Sequence, residues 1–205
     1  MVELGSADES EMILAFLRAE VDSFRFRRYV AHCLRMLGTD RNLIDRADIT
    51  DARQNQLRKD LLGCYRGYGK DDLFRGFPTR MTWRRVRLDA IDLETVVYGN
   101  EDHFDRKKWT ELSNGTRYVS VGARNVEQEP RPGDPLLEEK QNILAVVEKI
   151  HLGSQFPELI LADSLKGSFI IIEGATRSTA YIREHVTAVE AFLGHSPDIS
   201  SWVCY

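Results

Sequence analysis

Cysteine is scarce in this chain. Cys33, Cys64 and Cys204 stand far apart and are odd in number. No C-x-x-C pair and no Cys/His cluster occurs, so a zinc module is excluded and no cluster-held metal is expected. Cys33 sits among apolar residues and reads as a buried structural thiol, which goes with a reducing cytoplasm. Long apolar runs are missing too. None approaches the roughly 20 residues that span a bilayer, so no membrane partner is expected. The acidic residues 1–10 lack the basic-then-apolar signature of a secretory leader. Neither sign of charge dominates: Lys and Arg number 28 against 32 Asp and Glu, a net −4. A general nucleic-acid binder needs a basic excess to displace counterions, so nucleic acid is not an expected partner, although arginines crowd into residues 24–46 and 75–87. Repeats and low-complexity tracts are absent, and nothing in the sequence sets the oligomeric state.

What is present is an ordinary apolar and charged complement on 205 residues, enough to bury a core without disulfides or metals. The first part reads as helical. Met12, Ile13, Phe16 and Leu17 share a helix face that Asp8 or Ser10 could cap. A second stripe follows Ser23, with Phe26, Tyr29, Val30, Cys33, Leu34 and Leu37 inward and Gly38 as its stop. Residues 51–62 form a third helix, with Leu57, Leu61 and Leu62 inward and Arg53, Gln54, Arg58 and Lys59 outward; Gly63, Gly67 and Gly69 then break the pattern. Residues 81–88 alternate as a strand, 89–97 suit a short helix, and Tyr118, Val119 and Val121 suggest another short strand. Residues 127–135 carry three prolines and a glycine and read as a linker. An amphipathic helix over 136–151 follows. Leu159 to Ala162 and Phe169 to Ile172 are continuous apolar runs, as in strands covered on both faces, with a turn at Lys166-Gly167. Residues 174–185 form a helix and 186–193 a third strand. The fold class is therefore α+β: a small mixed sheet in residues 81–205, with a helical N-terminal region over 1–80 packed on it.

The chemistry concentrates at Phe169-Ile-Ile-Ile-Glu173-Gly174-Ala175-Thr176-Arg177-Ser178. A buried strand ends in an acid and a glycine, and a helix begins at once. The first amides of a helix have no internal partners and carry the positive end of its dipole, a ready anion site. Gly174 lets backbone approach a phosphate, Ala175 adds an amide, Thr176 and Ser178 add hydroxyls, and Arg177 adds a planar fork. Glu173 could hold a magnesium ion or accept a proton from an attacking hydroxyl. The same residues also serve as ordinary caps and as a stabilising Glu–Arg pair.

Residues 156–161 followed by 169–181 resemble the core motif of the ParB/sulfiredoxin-like superfamily, in which a second strand ends in a G-x-x-R turn and a helix follows. Gly174 and Arg177 match that turn, and Glu173 matches an acid that precedes it in some members, small-molecule kinases among them. The resemblance covers about a fifth of the chain and implies a nucleotide phosphate at the turn, with ATP, ADP and CTP equally open. Two roles within the superfamily are not expected here. Ala175 and Thr176 stand where sulfiredoxin has its catalytic cysteine, and only residues 194–205 follow the unit, where partition proteins add a helix-turn-helix domain. The chain as a whole resembles bacterial proteins of unknown function that end in a comparable Trp-x-Cys-Tyr, here Trp202 to Tyr205. The resulting expectation is a nucleotide-dependent phosphotransferase or hydrolase acting on a small hydroxylated metabolite. Its alternatives are a non-catalytic nucleotide-sensing module and a nuclease, which would need Arg25, Arg27, Arg28, Arg35 and Arg41 on one exposed face. Lesser candidates are the acidic loop Glu101, Asp102, His103 and Asp105, as a metal site or a solvated loop, residues 109–117, as a substrate loop or a turn at Asn114-Gly115, and the aromatic stretch 65–77, as a base-stacking or a packing segment. Trp202 and Tyr205 are expected to dock on the core.

Overall fold

The chain opens with a strand whose sequence gives little sign of one. In the computed structural model, which describes residues 1–102, 107–127 and 130–205, β1 (Val2–Ala7) is mostly exposed and so carries no alternating apolar pattern. Helix α1 (Glu9–Glu20) follows at once. Asp8 accepts from the Glu11 amide while the Glu11 carboxylate accepts from the Asp8 amide, a reciprocal cap. Met12, Ile13, Phe16 and Leu17 are buried as expected. Helix α2 (Arg27–Met36) ends before Gly38, whose φ of 65° suits a residue without a Cβ. It buries Val30, Cys33 and Leu34, but Tyr29, expected inward, points to solvent. After the single turn α3 (Asn42–Asp45) comes α4 (Ala52–Arg66), capped by Asp51 and closed by left-handed Gly67. Gly63 does not break it.

Two expectations fail in this region. Arg58, placed outward by helical spacing, is completely buried: its guanidinium donates to the carbonyls of Leu43 (3.1 Å) and Asp48 (2.8 Å) and to the side chain of Asn55. The turn α3 and the loop after it present these carbonyls to Arg58. Cys33 is buried but is not a free thiol. It is bonded to Cys64 on α4, with Cα atoms 6.1 Å apart, because the shared apolar face of α2 and α4 brings the two helices together. With this bond Cys33 no longer points to a reducing compartment. Cys204 remains free and buried.

The rest of the chain builds the sheet. Strand β2 (Thr82–Asp89) pairs antiparallel with β1, so the 1–80 region contributes an edge strand to the sheet. Helix α5 (Ala90–Glu94) is capped by Asp89 and is followed by a short strand, β3 (Val96–Val97). Then come α6 (Lys108–Leu112) and α7 (Val119–Arg124). The strand expected at Tyr118 to Val121 is thus a helix. Tyr118 makes one isolated bridge to Val97, after which small residues take over and Gly122 packs on the Tyr98 ring. Helix α8 (Leu137–His151), β4 (Leu159–Asp163), β5 (Phe169–Glu173), α9 (Ala175–Arg183) and β6 (Ala188–His195) follow the sequence reading closely. The linker reading over 127–135 includes Gln128 and Glu129, which lie outside the described residues. On either side of them Glu127 and Asp134 both pair with Lys140.

The fold is α+β, with a six-stranded mixed sheet in the order β1-β2-β6-β4-β5-β3. β4 lies parallel to β6 and antiparallel to β5, and β3 is parallel to β5. The strand pleat divides the core in two. Trp83, Ile160, Ala162, Ile170, Ile172 and Phe192 face the helices α1 to α4. Val86, Leu88, Leu159, Leu161, Ile171 and Leu193 face the opposite layer, where α5, α7 and α9 pack. The N-terminal helices therefore cover one face, not both. Phe74, Phe77, Tyr68 and Trp202 form a chain of edge-on rings that ties the C-terminal segment to the helical layer. The Trp202 indole donates to the Leu73 carbonyl and the Tyr205 hydroxyl to that of Ser164, so both dock as expected. Within the 65–77 stretch, Tyr68, Phe74 and Phe77 pack on one another. Among the described residues, no helix is long and apolar enough to cross a membrane.

Candidate functional site

At the carboxyl end of β5 the chain turns sharply into α9. Gly174 makes that turn with φ of 107°. A Cβ there would lie 2.5 Å from the Leu159 side chain and 3.1 Å from Arg177, so both the dihedral and the space require glycine. A register irregularity between Ile160 and Leu161 sits opposite Glu173, a usual way to re-aim a strand end beside a site. No side chain caps the first amides of α9. The turn opens into a cleft of about 790 Å³, within the roughly 300–1,000 Å³ of small-molecule sites.

The cleft lies between the two layers of the chain. Glu173, Gly174, Ala175, Thr176 and Arg177 form one wall. The end of α1 and the loop after it supply Arg18, Glu20, Arg25, Phe24 and Phe26, and α4 supplies Arg66. Asn142, Val146 and Lys149 come from α8, and Trp109, stacked on Tyr98 with ring centroids 5.0 Å apart, closes another side. Of the residues expected to hold phosphate, Gly174, Ala175, Thr176 and Arg177 line the cleft and Ser178 does not, while Glu173, the expected base, lines it too. Ser178 is buried and its hydroxyl donates to the Ala175 carbonyl inside its own helix. Arg177 folds back over Gly174. One Nη donates to the Pro157 carbonyl at 2.7 Å; the other, buried, has no hydrogen-bond partner and stands 3.5 Å from the Glu173 carboxylate.

The residue that sequence reasoning missed is Glu20. It occupies the last turn of α1, where an acid on a polar-looking helix end gives no signal. Yet it is 1% exposed, and among the described residues neither of its oxygens has a hydrogen-bond partner. Arg66 Nε approaches it at 3.5 Å, and the Tyr65 hydroxyl faces it without closing a bond of ordinary geometry. Burial pushes the Glu20 carboxyl up to about 8; Arg66 opposes the shift and the nearby Glu173 charge adds to it. Tyr65 is raised well above its ordinary range by the same burial and by Glu20.

The lesser candidates resolve differently. Glu101 lies in the cleft wall, but its carboxylate accepts the amides of Trp109 and Thr110 and so caps the start of α6. Burial raises its carboxyl. His103 and Asp105 lie outside the described residues. Asn114 and Gly115, both with positive φ, form a turn. Arg25, Arg27, Arg28 and Arg35 are exposed, but Arg41 is held by Asp22 and Asp45 at 2.7 Å each. Among the described residues no three Asp, Glu, His or Cys side chains gather to cage a metal. Magnesium is commonly held by one or two carboxylates together with substrate phosphates, and Glu173 at the cleft wall fits that mode. No protein-family model matches the chain, nor does any curated protein or solved structure.

Proposed function

We propose that this protein is a nucleotide-dependent phosphotransferase or nucleotide hydrolase acting on a small hydroxylated metabolite, with the phosphates held at the Gly174–Arg177 turn. The observation that carries the reading is the juxtaposition of uncapped α9 amides and a buried Arg177 nitrogen without a hydrogen-bond partner, both facing one cleft. Arg18, Arg25 and Lys149 bring further cations to the same cleft, beside the acids Asp22, Asp72 and Glu101. Arg177 and the amides of Ala175 and Thr176 would hold phosphate, and Glu173 would take the proton of the acceptor hydroxyl or hold magnesium. A cytoplasmic setting goes with nucleoside triphosphate supply, although the Cys33–Cys64 bond gives it no support.

A non-catalytic nucleotide sensor is the second reading, favoured by one observation: Glu173 already pairs with Arg177 at 3.5 Å. A thermal-shift panel of ATP, ADP, CTP and tripolyphosphate, with and without magnesium, tests the phosphate site. At least one should raise Tm, and Arg177→Ala should abolish the rise. Unchanged binding in Arg177→Ala would move the site elsewhere. Glu173→Gln should keep affinity within a few fold and lower turnover by about a hundredfold or more. Ligand binding without turnover on any acceptor would favour the sensor. Nucleic acid should bind little in a gel-shift series, since Arg41 is lost to the basic face a nuclease would need.

A further inference from the structure

The cleft floor holds a second set of polar groups that phosphate binding leaves unused. Glu20 and Arg66 line the cleft, with two acceptor oxygens from α1 and an Nε–H from α4, and the Tyr65 hydroxyl lies against Glu20. None of the four atoms has a hydrogen-bond partner among the described residues, although Glu20 is almost fully buried. Native proteins leave few such groups open, and a cluster of them on a cleft floor calls for an occupant. Their chemistry restricts what that occupant is. A phosphate offers only acceptors and would be repelled by Glu20. An ammonium offers only donors and would leave the Arg66 N–H unmet. What fits is a group with two donors side by side, one for each carboxylate oxygen, next to an acceptor for the Arg66 N–H.

We infer that Glu20, with Arg66 and Tyr65 beside it, binds a paired donor on the ligand, two O–H or N–H groups flanked by an acceptor, as the ribose diol or the guanine edge of a nucleotide presents. This rests on the nucleotide reading above and deepens it: α9 holds the phosphates and the α1–α4 floor holds the nucleoside. Glu20 must be ionised to accept both donors. The groups that set its charge are Arg66 and Tyr65 on α4, Glu173 on β5 and Arg25 in the loop after α1. Its burial favours the protonated form, so binding releases a proton and tightens as pH rises from 6.5 to 8.5.

The test uses nucleosides, which lack phosphate, on the full chain. Adenosine, guanosine and their 2′,3′-dideoxy forms are titrated calorimetrically at pH 6.5 and 8.5. The expected result is binding of at least one ribonucleoside, about tenfold tighter at pH 8.5 and about tenfold weaker in Glu20→Gln. Equal binding of adenosine and guanosine, lost in the dideoxy forms, assigns the ribose diol. Binding of guanosine and dideoxyguanosine but not adenosine assigns the base edge. If Glu20→Gln fails to fold, Tyr65→Phe is the substitute and should weaken binding severalfold. The inference is overturned if no nucleoside binds at millimolar concentration, or if the variant binds as wild type does. The phosphate reading fails separately, by tripolyphosphate leaving Tm unchanged while nucleosides still bind at Glu20.

Discussion

The two ends of α4 bury charge in opposite ways. In its first half Arg58 is completely enclosed, and the carbonyls of Leu43 in α3 and Asp48 in the loop after it, with the Asn55 side chain, receive its guanidinium. At its last turn Arg66 Nε stands 3.5 Å from Glu20 beside the Tyr65 hydroxyl, and among the described residues none of these atoms, nor either Glu20 oxygen, closes a hydrogen bond. In the first arrangement both Nη atoms are met and only Arg58 Nε lacks a partner among the described residues, away from the cleft. The second is incomplete within the chain, and it lies in the cleft. Burial of charge alone therefore does not mark a site; burial of charge without partners, facing a cavity, does.

The largest expected effect separates the two ends by tether. Cys64 ties the cleft end of α4 to α2 across 31 residues. A closed loop of that length contributes about 3–4 kcal/mol through the unfolded chain. Cys33→Ser with Cys64→Ser should lower stability by that order in urea unfolding. Hydrogen exchange should rise more at residues 23–36 and 64–67 than at 43–58. Uniform exchange along α4 would erase the distinction.

Arg58→Ala comes next. It removes hydrogen bonds from a charged donor and leaves buried carbonyls unmet, at a cost of about 2–3 kcal/mol. Nucleotide and nucleoside affinity should stay unchanged, since Arg58 does not line the cleft. A loss of ligand binding at full folding would break the contrast between the ends.

The pH dependence of stability sharpens it further. Glu20 rises from its ordinary carboxylate value to about 8 in the folded chain. The folded state therefore holds the proton that the unfolded state releases. Its contribution is full below the ordinary value near 4.5 and is lost as pH climbs towards 8. Glu20→Gln should flatten that part of the stability profile, leaving the variant on the order of 3–4 kcal/mol more stable relative to wild type at pH 8.5 than at pH 5. An identical slope in both proteins would mean that Glu20 is not the group responsible.

The smallest effect is the control. Ser178→Ala removes a buried hydroxyl that serves only the Ala175 carbonyl. It should change stability by less than about 1 kcal/mol and leave ligand affinity as it is. A large affinity loss would return Ser178 to the site.

Much of the C-terminal half was legible because its signals are local. Two continuous apolar runs, a tight turn and Glu173-Gly174 before a helix specify strand, strand and helix wherever the rest of the chain goes. Other elements gave no local signal. β1 is exposed on most of its length, so its strand character comes from pairing with β2. Val119 and Val121 carry strand propensity, yet they lie in α7, where Gly122 packs on Tyr98 with no room for a Cβ.

By itself, then, the sequence determined the α+β class, the strand–turn–helix with its glycine, and the placing of Glu173 and Arg177 at one turn, since each depends on residues a few positions apart. The tertiary structure alone decided that Arg58 is enclosed, that Cys33 meets Cys64, that Ser178 turns away, and that Glu20 joins Arg66 beneath Glu173. Those outcomes depend on partners many residues away, brought together by helices packing on a sheet. Helical spacing fixes which way a side chain leaves its own axis, but not what it meets there.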